Sequence, residues 1–235
     1  MIRLKIAATI AAITLSSSLQ AQGVIAAWDF TGEDTLATSA ADFYSTDLDS
    51  SNLLTRGAGA AASAGANSFR TVGFQNNGIS VANTDYFQFT LSASAGNTLS
   101  LSSIAIRVTG TATFVAAPGV TQQFAYSIDG VTFTLIGSPQ TSIGTNQTLT
   151  FDLSTTAALQ NVPDGTTITL RYYASGQTTT GGFGFFSNVP GNFGLAVSGS
   201  GVAPIPEPAT YMLFGMGLLV CAQQFRRRRA ASNKK

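Results

Sequence analysis

Phe124-Ala125-Tyr126-Ser127-Ile128-Asp129-Gly130-Val131-Thr132-Phe133-Thr134-Leu135 is the stretch whose reading decides the fold. Apolar residues at 124, 126 and 128 alternate with small or polar ones. An Asp-Gly pair follows, and the alternation resumes at 131, 133 and 135. A period of two places one face of a strand against a core and the other toward water. Asp-Gly tolerates the positive φ angles of a type I′ turn, so the stretch predicts a tight two-residue hairpin.

The same period recurs on both sides. Phe87, Phe89 and Leu91 alternate with Gln88 and Thr90. Leu99 and Leu101 are followed by Ile104, Ile106 and Val108, so the apolar parity flips at Ser102-Ser103, which predicts a bulge or two successive segments. Leu149, Phe151 and Leu153, then Ile168, Leu170 and Tyr172, then Phe193, Leu195 and Val197 predict three more strands, with Trp28 and Phe30 starting the first. No segment between Gly23 and Ala203 keeps a long helical period, although Thr35 to Tyr44 has room for a turn or two. Gly57 to Gly65, an Ala/Gly/Ser run without large side chains, reads as a mobile loop. Short strands separated by turn signals predict an all-β, antiparallel sandwich over residues 22–203.

Charge is segregated along the chain. Eight of the 12 basic residues lie at the two ends: Arg3, Lys5, Arg226 to Arg229, Lys234 and Lys235. Four arginines (Arg56, Arg70, Arg107 and Arg171) remain against ten acids between the ends, so that part is acidic and has no lysine. Nucleic acid is not an expected partner of such a surface, because phosphate recognition needs clustered cations. The charged fraction is 10%, against about 25% in an average protein. Abundant Ser, Thr and Gly suit exposed strand faces that carry hydroxyls.

There is no histidine, and the only cysteine is Cys221. Ser-His-Asp and Cys-His catalysis and His-bearing zinc sites are thereby excluded within the chain. No intramolecular disulfide can form, so core burial must hold the domain together. Ten acids offer no sequence context for a paired-carboxylate mechanism. The expectation is a non-enzyme without a cofactor.

The two ends read as addresses. Arg3 and Lys5, the apolar run Ile6 to Leu15 and the small, polar Ser16 to Ala21 form a secretory signal peptide over residues 1–21, cleaved between Ala21 and Gln22. This implies the Sec export machinery as a partner. At the other end stand Ile205-Pro206-Glu207-Pro208, an uncharged apolar stretch over residues 209–225, the cluster Arg226-Arg227-Arg228-Arg229, and a tail at 230–235. At about 1.5 Å per residue the apolar stretch falls slightly short of a hydrocarbon core of about 30 Å, which suits a stop-transfer helix better than a permanent anchor. The arginines are expected to stay cytoplasmic. Each proline restrains the residue before it, so Ile205 and Glu207 are held extended and the box is an exposed, stiff peptide. On membrane physics alone, an ordinary tail anchor with a proline-rich spacer fits equally well.

The order and spacing of box, apolar helix and basic cluster resemble the PEP-CTERM sorting signal of Gram-negative bacteria over residues 204–229, with Ile205 where that signal usually has Val. The resemblance implies recognition by an exosortase, a membrane transpeptidase that removes or exchanges the tail. It also implies transient inner-membrane anchoring followed by display in the cell envelope, at the surface or in a matrix, with exopolysaccharide or biofilm as the setting. A more diffuse likeness runs from Trp28-Asp29-Phe30 through Tyr86 to Tyr126-Ser127-Ile128-Asp129-Gly130-Val131-Thr132-Phe133. It resembles the jelly-roll-like ectodomains of other sorted proteins.

Two sites inside the domain are candidates. Phe183, Phe185 and Phe186 sit in the glycine-rich Gly181-Gly182-Phe183-Gly184-Phe185-Phe186 and could form a sugar-stacking platform; the competing reading packs these rings in the core. Asp47-Leu48-Asp49-Ser50-Ser51-Asn52 offers oxygens at alternating positions but lacks the glycine and terminal glutamate of an EF-hand loop, so a solvated acidic loop is expected. The sequence thus points to a non-catalytic surface or matrix protein, with a carbohydrate-binding module as the alternative.

Overall fold

A computed structural model describes residues 22–49 and 53–202, and these form two antiparallel sheets. In chain order the strands are β1 (Gly23–Trp28), β2 (Ser39–Ala40), β3 (Phe43–Tyr44), β4 (Leu53–Arg56), β5 (Ser68–Thr71), β6 (Tyr86–Ser92) and β7 (Thr98–Gly110). They continue with β8 (Val120–Ser127), β9 (Thr134–Leu135), β10 (Gln140–Ser142), β11 (Gln147–Asp152), β12 (Val162–Pro163), β13 (Thr167–Ser175), β14 (Phe183–Phe186) and β15 (Leu195–Val202). The first sheet has the order β3-β1-β15-β7-β14-β5, with β11 and β12 on the opposite edge of β7. The second has the order β10-β8-β13-β6-β4-β2, and β9 also pairs with β8.

Alternation is what lets the two sheets face each other. Phe87, Phe89 and Leu91 of β6 are buried, and Tyr86, Gln88 and Thr90 between them are half-exposed. Their inward partners on β13 are Tyr172, Leu170 and Ile168. Aromatic rings then bridge the sheets. Trp28 of β1 lies 5.1 Å from Phe89, Phe69 of β5 5.0 Å from Phe87, and Phe185 of β14 4.8 Å from Tyr172. Phe124 of β8 meets Phe151 of β11 at 5.0 Å. Full burial of such a side chain contributes about 1.5–3 kcal/mol. A ring pair adds about 0.5–1.5 kcal/mol beyond the area term. That is how a domain without a disulfide can hold together.

The parity flip at Ser102-Ser103 is a bulge within one strand. Ser103 pairs with Ser198 and Leu101 with Gly199, so Ser102 is the extra residue. Its carbonyl accepts from Leu153 N–H at 2.9 Å, which starts the turn after β11.

Three local expectations are corrected. The hairpin exists, but its register pairs Ala125 with Leu135 and Tyr126 with Thr134, so the connection is longer than a two-residue I′ turn. Ile128 and Val131, which such a turn would pair, are 49% and 82% exposed, and Ile136 rather than Leu135 enters the core. The Asp129 side chain is the cause. Its Oδ1 accepts from Ser127 Oγ at 2.7 Å, from Val131 N–H at 2.8 Å and from Thr132 N–H at 2.7 Å, building a side-chain-capped loop. Gly57 to Gly65 is not loose either. Gly57 and Gly59 donate to Tyr86 O and Thr84 O, Ser63 donates to Arg70 O, and Ala60 is fully buried. Small residues let this backbone approach Gly73, where an added Cβ would lie 2.0 Å from Gly59 O. Finally, Thr35 to Tyr44 contains the short strands β2 and β3 in place of a helical turn.

Candidate functional site

The inward commitment of Phe87, Leu170 and Tyr172 forces their neighbours outward. The outer face of the second sheet therefore carries Tyr86, Gln88 and Thr90 from β6 beside Arg171 and Tyr173 from β13. Arg171 organises this face. Its Nε donates to Gln88 Oε1 at 2.8 Å, and Cζ lies 4.0 Å from the Tyr86 ring centroid and 3.5 Å from that of Phe133. Cation–π contacts of this kind contribute about 0.5–2 kcal/mol, depending on desolvation.

Phe133 reaches Arg171 because of the Asp129-capped loop, which carries the chain from the end of β8 back over the sheet. The amides of Thr132 and Val131 and the Ser127 hydroxyl hold the Asp129 carboxyl well below its ordinary range. On the other flank Tyr173, 5.8 Å from Tyr86 between ring centroids, donates its hydroxyl to Val81 O at 3.4 Å. The result is a shallow surface on which aromatic carbon, guanidinium and amide groups of Tyr86, Phe133, Arg171 and Gln88 adjoin, with Tyr173 buried beside it. It offers donors and acceptors around ring faces.

The other arginines are differently employed. Arg56 lies 3.4 Å from the Phe69 ring centroid and donates to Ala37 O and Arg70 O. Burial lowers its pKa to about 10. Arg70 donates to Gly182 O at 3.0 Å. Both brace backbone.

Phe183 and Phe185 have no exposed surface. Phe183 lies against Phe114 at 5.3 Å, and Phe185 against Tyr172 and Phe87. Neither presents a ring to a sugar, and only the half-buried Phe186 reaches the surface. The reason is alternation: Phe183 and Phe185, two residues apart, share the face of β14 turned toward the core, where Phe185 meets Tyr172 and Phe183 meets Phe74. Sequence reading missed the Arg171 surface because its members come from positions 86, 88, 133 and 171. The available signal was a lone arginine at an outward position in an otherwise apolar strand.

Asp47 is tied locally: its N–H donates to Ser45 Oγ at 3.0 Å, and its Oδ2 accepts from Ser45 Oγ at 3.3 Å. Residues 50–52 of that loop lie outside the described residues, and among the described residues no group of three His, Cys, Asp or Glu side chains could hold a metal ion. At the opposite end of the sandwich, Asp29 clasps two loops by accepting from Thr31 N–H and Gly191 N–H, while Asp42 accepts from Asp29 N–H. Glu33 nearby is raised above the usual carboxylate range by burial and by the charges of Asp42 and Asp29.

Gln22 is exposed, one residue before β1. Ala21, the box residues Pro206, Glu207 and Pro208, the apolar stretch and Arg226 to Arg229 lie outside the described residues. For that C-terminal segment the comparison is with known families. Residues 204–229 match the family model of the PEP-CTERM protein-sorting motif. No curated protein matches the chain.

Proposed function

We propose, for a chain that is a PEP-CTERM protein and hence an exported substrate of an exosortase, that its folded domain is a non-catalytic surface or matrix module associated with exopolysaccharide. On this reading Sec exports the chain, Arg226 to Arg229 hold the tail in the cytoplasm, and processing releases the domain to the envelope or matrix. The strands alternate repeatedly between two sheets, which we read as a jelly-roll-like path.

The observation that supports the reading is the outer face around Arg171, Tyr86, Gln88 and Phe133. Sugars present apolar C–H faces and a rim of hydroxyls. A face that combines rings with guanidinium and amide groups matches both. Catalysis finds no support in the composition, which contains no histidine.

The same face favours the alternative, a carbohydrate-binding module proper. Retention of the domain on polysaccharide from its own host separates the two. Saturable binding of one defined glycan, lost in Arg171→Ala and Phe133→Ala while the melting temperature falls by no more than a few degrees, establishes the module. Broad, weak retention lost in the same variants supports the matrix role. Retention indifferent to both substitutions removes this face from either reading, and hydrolysis of the polysaccharide overturns the non-catalytic assignment.

A further inference from the structure

The strands of the second sheet (β2, β4, β6, β8, β9, β10 and β13) carry no aspartate or glutamate, although the domain as a whole is acidic. Their two arginines point in opposite directions. Arg56 turns inward over Phe69 and Phe87. Among the described residues, Arg171 is the one cation that these strands turn outward, and they supply it with no counter-charge. Asp85, next to Tyr86, is buried and accepts from Gln75 N–H at 2.9 Å. Asp129, in the loop that carries Phe133, accepts three hydrogen bonds from that loop.

The Arg171 guanidinium is held in place by its own surroundings. The rings of Tyr86 and Phe133 cover it at 4.0 and 3.5 Å, and Nε is spent on Gln88 Oε1. Tyr173 Oη feels the same charge but donates its proton to Val81 O. What remains is the edge formed by Nη1 and Nη2. Among the described residues no carboxylate pairs with that edge, and it is not sealed from solvent as the Nε atoms of Arg56 and Arg70 are. Gln88 has its carbonyl oxygen on Arg171, which leaves Nε2 as a further donor. The polar groups left over at the centre of the face are thus N–H donors. A neutral sugar hydroxyl both donates and accepts, whereas an ionised carboxylate only accepts and matches the parallel N–H bonds of an arginine fork.

Register sets what lies around this edge. Leu135 pairs with Ala125, Ala125 and Gln88 flank Arg171, and Thr55 pairs with Gln88. These five residues form one level across β9, β8, β13, β6 and β4. At about 4.8 Å between strands the level spans about 19 Å, room for an extended polymer segment with an acidic group at its middle.

We propose that Arg171 is a carboxylate-selecting subsite and that the polysaccharide taken by this face is acidic, its carboxyl group seated on Nη1 and Nη2. The proposal rests on the polysaccharide reading of the same face.

The test measures retention of the protein, recovered from its host, on host polysaccharide that is either intact or has its carboxyl groups reduced to alcohols. Reduction leaves the sugar chain in place and removes the anionic acceptors. Retention of the parent is expected to fall about tenfold or more, the range of charge-assisted hydrogen bonds. Added salt should weaken binding to the intact polymer alone. Mild acid strips ketal-linked pyruvate and spares uronate, so loss after that treatment assigns the carboxylate to pyruvate and persistence assigns it to uronate. Arg171→Gln is expected to lose the preference for intact polymer. Arg107→Gln removes the same charge from the first sheet, where Arg107 pairs with Thr148, and should keep the preference. Arg171→Lys keeps the charge without the fork and should bind intact polymer several-fold more weakly than the parent. Equal retention of the parent on intact and reduced polymer, or an equal loss in Arg107→Gln, would overturn the proposal. No retention of the parent on either polymer would overturn the polysaccharide reading beneath it.

Discussion

The hydroxyl of Tyr172 donates to Oε1 of Gln122, a hydrogen bond between two side chains with no exposed surface. Gln122 Nε2 donates in turn to Ser142 Oγ at 2.6 Å. The polar chain links β13, β8 and β10 through the core. Removing its donor by Tyr172→Phe leaves a buried amide oxygen unsatisfied, at a cost of about 1–3 kcal/mol. Urea denaturation checks this. A companion Gln122→Met change is expected to cost less when combined with Tyr172→Phe than alone, because the two side chains share one interaction.

Alkali is expected to act through the same ring. Burial raises the Tyr172 pKa well above its ordinary 10.0, so the folded state keeps a proton that the unfolded state loses. The contribution is whole below pH 10 and declines as pH rises from there toward the folded value. Tyr173, raised by burial as well, adds to the decline. Melting temperature measured against pH should fall less steeply above pH 10 in Tyr172→Phe.

Asp129 sets the acid side. Its carboxyl is held below its ordinary 3.8 by the amides of Thr132 and Val131 first, then by Ser127. This contribution is present above pH 3.8 and is lost as pH falls through that value toward the folded pKa. Asp129→Asn is therefore expected to have a flatter acid limb. Asp129→Ala should also release Phe133 from Arg171 and weaken glycan retention at neutral pH.

Gly184→Ala tests the close approach of β14 to β5. The new methyl would meet Phe69 O at 2.1 Å and Arg70 Cα at 2.7 Å, both backbone atoms that cannot swing aside. The expected cost is at least the roughly 1–3 kcal/mol typical of overpacking, read as a lower urea midpoint.

Phe185 and Arg171 are expected to separate stability from recognition. Phe185→Ala empties a core position and should cost about 3–5 kcal/mol. Arg171→Gln keeps a polar outward side chain and should leave the melting temperature within a few degrees while abolishing glycan retention. The opposite pattern would return the sugar platform to the glycine-rich segment.

Much of the fold was legible from local pattern. The strand period at Phe87-Phe89-Leu91 names both the element and its buried face, because a strand has only two faces and burial selects one there. Ile168-Leu170-Tyr172 names the strand and its inward face, while Thr169, Tyr173 and Ser175 opposite are buried as well. The bulge at Ser102 was legible for the same reason, as a break in parity. The hairpin loop was not. Asp-Gly permits a two-residue turn, and three hydrogen bonds to one carboxylate oxygen outweighed that preference. The Gly57 to Gly65 run was misread because small residues serve equally for looseness and for close approach.

The sequence alone determined the address, since the sorting motif over residues 204–229 is read by composition and order along one short peptide. It also determined the all-β class and the absence of histidine chemistry. Tertiary structure decided which aromatic rings meet solvent. It sealed Phe183 and Phe185 in the core and set Tyr86 and Phe133 on either side of Arg171. Strand pairing joins residues far apart in the chain, and no local pattern records which outward side chains will become neighbours.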